Sequence, residues 1–368
     1  MVPRSQLIAA LLVTGWVSVT RADEPVTNTK FKRAEVDAMV DKGLEWLKRN
    51  QASDGRWEAP GGHYPTSMTA LGGMPMLMQG STLREGKYSD NLLKATNWLM
   101  SRAQPNGLIG NPNNPTEASR YMYGHGFGLL FLASVYGEED DKDRRKKLEG
   151  ILTRAVDFAG KAQTNRGGWG YVSALEGGNF DEGSVTITQL QGVRAAKNAG
   201  IKVPKSIIDN AVKYLHDCTT DAGGIIYSLG HGRAAIGGER EPLTAAAVAC
   251  SFSAGQYNDE YAKKWIKFCK ARIPFGRGRL AHDEYQNYYF SQAVYVLGDD
   301  RYIEMFPNDP KKDALLWSAF RENMFEYIKG AQASDGSWNG GYIGPVMATS
   351  VNLTILQLEK GILPIYHR

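Results

Sequence analysis

Two acidic doublets are the residues best suited to chemistry. Asp181-Glu182 ends the acidic part of GGWGYVSALEGGNFDEGSVT (167–186), and Asp283-Glu284 lies within His282-Asp283-Glu284-Tyr285. Two carboxyl groups facing one pocket can work as acid and base, provided they stand no more than about 10 Å apart. The same residue types also suit a simpler task. A carboxylate at the start of a helix accepts from free backbone N–H groups and meets the positive end of the helix dipole. Polar and aromatic residues gather in further loops: His63-Tyr64, Tyr121-Met122-Tyr123-Gly124-His125, Phe127, Arg240-Glu241, and the run Tyr285, Tyr288, Tyr289, Phe290. Such a set can stabilise a cation on its ring faces, bind an apolar or sugar ligand, or fill a core.

The elements that hold these loops are written as a repeat. QASDGRW at 51–57 and QASDGSW at 332–338 agree in six of seven letters. Each follows an amphipathic helix: Val36, Met39, Val40, Leu44 and Leu47 before the first, and Leu316, Phe320, Met324, Tyr327 and Ile328 before the second. Weaker relatives start at 104, 163, 219 and about 273, a spacing of 53 to 59 residues. After each comes a Gly-rich loop and then a helix that is apolar nearly all round, which marks it as buried. Pro65, Pro242 and Pro345 open three of these inner helices. The pattern predicts an all-α fold of six helix pairs, an (α/α)6 toroid, with one-sided helices outside and apolar ones inside. Gly-Gly-Trp-Gly-Tyr (167–171) can also be read as a short strand. In the heptad, Gln and Asp satisfy backbone groups, Gly permits positive φ, and Trp wedges between pairs. This predicts a clasp where repeat 1 meets repeat 6.

Q-x-x-D-G-x-W after a helix, at this period, resembles the QW repeat of squalene–hopene and oxidosqualene cyclases. That α/α toroid is shared with protein prenyltransferase β subunits and with prenyltransferase/squalene oxidase repeat proteins. The resemblance implies one toroid domain, where squalene cyclases of this family carry two. It also implies that Asp181 stands at the place of the acid in the DxDD motif that protonates an alkene, with Asn179 and Glu182 replacing two of its acids. The prenyltransferase branch would need zinc. Cys218, Cys250 and Cys269 show no ligand spacing with His63, His125, His216, His231, His282 or His367, so neither metal nor cofactor is expected. Buried free thiols are expected instead.

Residues 1–22 read as a signal peptide: Arg4, an apolar run at 7–19, then Thr20-Arg21-Ala22 before a cut. The run has 13 residues, short for a membrane anchor. A linker at 23–34 and the toroid at 35–368 follow. Removing Arg4 and Arg21 takes the formal charge from +4 to +2, which does not point to nucleic acid. The expectations are an exported protein that binds or cyclises an isoprenoid or other hydrophobic small molecule, a carbohydrate-active barrel with paired carboxylates, or a non-catalytic ring for a protein or peptide partner. The candidate catalytic residues are Asp181, Glu182, Asp283 and Glu284. The candidate substrate-binding residues are His63, Tyr64, Tyr121, Tyr123, His125, Phe127, His282, Tyr285, Tyr288 and Tyr289.

Overall fold

A computed structural model describes residues 30–230, 238–253, 259–273, 283–310 and 313–367. The leader at 1–22 lies outside the described residues. Twelve α-helices alternate between two roles among those described. The outer set is α1 (Arg33–Arg49), α3 (Ser89–Ser101), α5 (Lys142–Ala162), α7 (Lys205–Asp217), α9 (Glu260–Arg272) and α11 (Trp317–Ala331). The inner set is α2 (Pro65–Met78), α4 (Tyr121–Gly137), α6 (Gly183–Asn198), α8 (Glu241–Ser253), α10 (Asp283–Met305) and α12 (Pro345–Gln357). Pro65 and Pro345 occupy first positions and Pro242 a second, where a missing N–H costs nothing. The helix α10 breaks at Gly298, whose φ is 63°.

Burial follows the sequence pattern. The outer α1 buries Val36, Met39, Val40, Leu44 and Leu47 on one side, whereas all of α2 is buried. Each inner helix packs on the next, α2–α4–α6–α8–α10–α12, and α12 returns to α2, so the ring closes. Strand content is confined to isolated bridges among the described residues, and Trp169 of the Gly-Gly-Trp-Gly-Tyr loop forms one with Glu182. The turn Pro364–Tyr366 packs against α6. Tyr366 is buried, and its hydroxyl meets that of Tyr288 at 2.9 Å. At the other terminus Phe31 is buried and packs edge-on against Phe325 of α11.

The heptads turn out to be directional. Gln51 Nε2 donates to Gly55 O and to Asn91 O on α3, at 2.8 and 3.0 Å. Gln163 does the same to Gly167 and to Ile207 on α7, and Gln332 to Gly336 and to Met39 on α1. Each loop thus reaches the outer helix of the following repeat. QASDGSW joins repeat 6 to repeat 1, but QASDGRW joins repeat 1 to repeat 2, which corrects the expectation that both lie at one seam. Asp54 and Asp335 cap the loop itself, accepting from Arg56 and Ser337 N–H.

The glycine is what allows the approach. Gly336 has φ +96°, and a Cβ there would lie 2.3 Å from the Lys42 carbonyl oxygen of α1. Gly336→Ala combines a left-handed alanine with a backbone clash. It is expected to destabilise the chain by at least about 2 kcal/mol, read as a fall in the urea midpoint at unchanged m-value. A loss below about 0.5 kcal/mol would remove this account of the clasp.

Candidate functional site

The loops that lead into the inner helices share one rim, and behind them the ring encloses a cavity of about 1560 Å³. Its lower wall includes Met68, Leu71, Phe127 and Met347, and its upper wall Tyr64, Tyr123, Tyr171, Tyr227 and Tyr285. Arg120, Arg240, Glu182, Glu241 and Glu284 also line it. Tyr64 holds φ 53°, a costly conformation for a residue with a Cβ. Its N–H donates to Thr116 O at 3.2 Å, one contact that fixes it at the mouth of α2.

The Asp181-Glu182 doublet divides here. Glu182 is the N-cap of α6, with φ −153° and ψ 135°. Its backbone is fixed by two bonds, Glu182 N–H to Trp169 O and Gly183 N–H to Tyr227 O. The carboxylate accepts from Val185 N–H at 2.9 Å and from the Ser184 hydroxyl at 2.7 Å. The Tyr123 hydroxyl lies 3.5 Å away and meets Ser184 Oγ at 2.5 Å. Glu182 is almost wholly buried, and burial raises its pKa above the usual glutamate value despite the hydrogen bonds from Ser184 and Val185. Burial also holds the phenols of Tyr123 and Tyr285 well above their ordinary range, so both stay neutral donors. The Tyr285 hydroxyl donates to Ser184 O at 3.2 Å.

Asp181 does not line the cavity. Its carboxylate accepts from Arg166 Nε at 2.5 Å, Tyr214 OH at 2.9 Å, Ser228 Oγ at 3.0 Å, and Leu229 and Gly230 N–H at 2.8 and 3.2 Å. Burial acts to raise its pKa, but these donors outweigh it and hold the group below its ordinary 3.8. Asp181 is therefore an ionised tie between the clasp of repeat 3 and the loop before Gly230, and the expected placement of an acid there is corrected. Asp181→Ala removes the acceptor shared by Arg166, Tyr214 and three more donors. It is expected to lower stability by about 3 kcal/mol at pH 7. Because the folded pKa is depressed, this contribution is present above pH 4 and fades as pH falls through the folded value. Chemical denaturation of wild type and variant at pH 7 and pH 3 checks it: equal differences at both pH values would contradict the assignment.

Four other expected ligand residues also pack away from the cavity. The Tyr121 hydroxyl donates to Glu176 and accepts from Ser173 N–H, pinning the following loop. His125 is fully buried, and its Nδ1 accepts from Ile109 N–H at 3.1 Å. Thr69, Thr186, Thr244 and Thr349 accept from the loop in the same way in repeats 1, 3, 4 and 6. His125 is thus the repeat-2 version of a structural threonine. Its Nε2 then carries the proton towards Ala155 O, and burial lowers its pKa to about 4. Tyr288 and Tyr289 are buried, Tyr288 against Tyr366. Phe290 packs edge-on against Phe320. His63 is exposed beside Tyr64. His282 and the Asp283 side chain lie outside the described residues; the backbone of Asp283 opens α10.

Tyr64, Tyr123, Phe127, Glu182, Glu284 and Tyr285 are the expected residues that do meet at the cavity. Sequence reasoning missed Arg120, Tyr171, Ser184 and Tyr227. A signal existed for two of them. Tyr171 and Tyr227 stand two residues after the bulky clasp residues Trp169 and Ile225 of repeats 3 and 4, so they occupy one register position. Their hydroxyls hydrogen-bond to each other. The three cysteines are buried and form no disulfide, and among the described residues no group of three His, Cys, Asp or Glu side chains could hold a metal ion. No described helix is long and apolar enough to cross a membrane.

No family model matches the chain. Human lanosterol synthase is 31% identical over 93 residues, and the match spans 25% of this chain and 13% of that protein's own length. Among solved structures, an inactive variant of the α-1,6-mannanase GH76A of Salegentibacter in complex with α-1,6-mannotriose is similar at TM-score 0.62. Its identity is 9%, with 89% of this chain and 99% of that one covered. The type II terpene cyclase MstE from Scytonema is similar at TM-score 0.56 and 15% identity, with coverage of 90% and 100%; a variant of it has been solved with geranylgeranyl dihydroxybenzoate as substrate. The chain is an all-α (α/α)6 toroid, terpenoid cyclase-like in fold, sharing its architecture with a mannanase and with a type II terpene cyclase.

Proposed function

We propose that this chain takes an isoprenoid small molecule into its central cavity and that Glu182 acts there as a general acid on an oxygen atom of the ligand. The observation that carries this is Glu182 itself: a buried carboxyl on the cavity wall with a raised pKa, hydrogen-bonded to Ser184 and flanked by Tyr123 and Tyr285. Such a group retains its proton nearer to neutral pH, as a general acid must. It is a weaker acid than an ordinary glutamate, and Asp181, the stronger one, is ionised and tied to Arg166. Protonation of a bare alkene, which needs a very strong acid, therefore has no support. Proton transfer to an oxygen is within reach, and aromatic faces nearby would stabilise positive charge that develops on the ligand. The local similarity to lanosterol synthase and the fold shared with a type II terpene cyclase favour an isoprenoid. A cavity of this size also favours a small molecule over a protein partner held on a filled ring.

A second reading has its own support. Glu284 lines the same cavity as Glu182, so a glycosidic oxygen could be protonated by one while the other serves as base or nucleophile. The mannanase likeness favours this reading. One assay separates the two. The chain is incubated with squalene, oxidosqualene, geranylgeraniol and α-1,6-manno-oligosaccharides, and products are followed by mass spectrometry. Conversion of the oxygenated isoprenoids but not of squalene is expected; cleavage of the oligosaccharides alone would transfer the conclusion to the second reading.

A further inference from the structure

Arg120 and Arg240 line the cavity at its exposed rim, and among the described residues neither guanidinium has a hydrogen-bond or ion-pair partner. The nearby carboxylates are engaged elsewhere. Glu182 is held by Ser184 and Val185, and Glu241 stands 4.0 Å from Arg272. The carboxylate of Glu284 lies against Gly341, whose added Cβ would overlap it. Arg120 is nonetheless oriented, because its guanidinium carbon sits 4.6 Å over the Tyr171 ring. The Tyr171 hydroxyl pairs with that of Tyr227. Arg240 N–H donates to Ile225 O at 2.8 Å, two residues before Tyr227. Arg120, Tyr171, Tyr227 and Arg240 thus run along one arc of the rim, with the apolar wall of Met68, Leu71 and Phe127 on the same cavity.

We infer that this arc binds the oxyanion head group of an amphiphile whose apolar tail enters the cavity. A stacked guanidinium is pre-organised, so it loses little freedom when it grips a carboxylate or phosphate through two N–H bonds. Of the paired Tyr171 and Tyr227 hydroxyls, the one that accepts in their mutual hydrogen bond keeps a proton that can be donated to the same oxygens. The tail rests on the isoprenoid reading above; the head does not.

Calorimetric titration of the protein with geranylgeranyl diphosphate, geranylgeranoic acid, geranylgeraniol and pyrophosphate tests this. At least one anionic lipid is expected to bind at least about tenfold tighter than the alcohol, with the gap narrowing at high salt because the arginines are exposed. Preference for the diphosphate assigns a phosphate head and preference for the acid a carboxylate head. Arg120→Gln and Arg240→Gln should each remove most of that preference while leaving the alcohol's affinity within about twofold. Pyrophosphate binding that Arg120→Gln abolishes would show that the head is recognised without a tail. Equal affinity for alcohol and both anions, or a preference that survives both substitutions, overturns the proposal. If no tailed ligand binds, the isoprenoid reading fails, and the pyrophosphate arm alone decides the head site: binding lost in Arg120→Gln upholds it and no binding removes it.

Discussion

Glu182→Gln is expected to lower turnover by about 10² to 10⁴-fold while leaving ligand affinity nearly unchanged. Glutamine keeps the shape and an acceptor oxygen for Val185 N–H, but it has no proton to give. In the wild type, kcat/KM should fall as pH rises through the raised pKa of Glu182, since the acid must be protonated in the free protein. The substitution should also act on stability, in the opposite sense to activity. A raised folded pKa means that the folded state binds the proton more tightly than the unfolded chain. The contribution of Glu182 is then complete below its ordinary 4.5 and is lost as pH rises through the folded value. Wherever the wild type is ionised it carries a buried charge that the variant lacks, so the margin by which Glu182→Gln melts higher should grow as pH rises through the folded pKa and be smallest below 4.5. Full activity in Glu182→Gln would end the assignment. Loss of activity together with a lower melting point at pH 7 would point to a structural role instead.

Trp338→Ala is expected to cost about 3 to 5 kcal/mol. The indole is fully buried, its Nε1–H donates to Ile328 O on α11 at 2.7 Å, and its backbone N–H donates to Thr349 on α12 at 3.0 Å. The ring also lies against Gly43 of α1, where an added Cβ would come within 2.9 Å of it. One side chain therefore fills the seam of three helices, at the junction where the last repeat meets the first. Its removal should open that seam, so hydrogen exchange should quicken in α1, α11 and α12 before the rest of the ring. Uniform exchange, or a cost below about 1 kcal/mol, would show that ring closure does not depend on this residue.

The ring and its repeat were legible in the chain because they rest on local physics. One-sided apolar spacing made six helices outer ones, apolar surfaces on all sides made six inner, and the period of the heptads set the number of pairs. The inter-repeat function of the heptad was legible too, since Gly at a positive φ recurs in the clasps at Gly55, Gly107, Gly167, Gly223 and Gly336, and a buried Trp fills three of them at Trp57, Trp169 and Trp338. Its partner was not. Gln51 and Gln332 look alike in sequence, and only the fold shows that each reaches forward by one repeat, to Asn91 and to Met39.

The site was partly legible for the same reason. Loops that open inner helices must share a rim, so Tyr64, Tyr123, Phe127, Glu284 and Tyr285 were found from their place in the repeat. His125 was misread because it fills a position that holds threonine in four other repeats, and a lone histidine letter does not reveal the backbone amide it accepts from. The doublet Asp181-Glu182 is the sharpest case. Glu182 is extended, its side chain turned to the opposite side from its neighbour's, as successive residues of extended backbone are. One carboxylate went to Arg166 and became an ionised tie; the other went to the tyrosine wall and kept its proton longer. Local patterns in the chain were enough for the toroid, its clasps and the rim that frames the cavity. Only the tertiary structure decided which of two adjacent acids faces the cavity, because burial and partners, not residue type, set what a carboxylate can do.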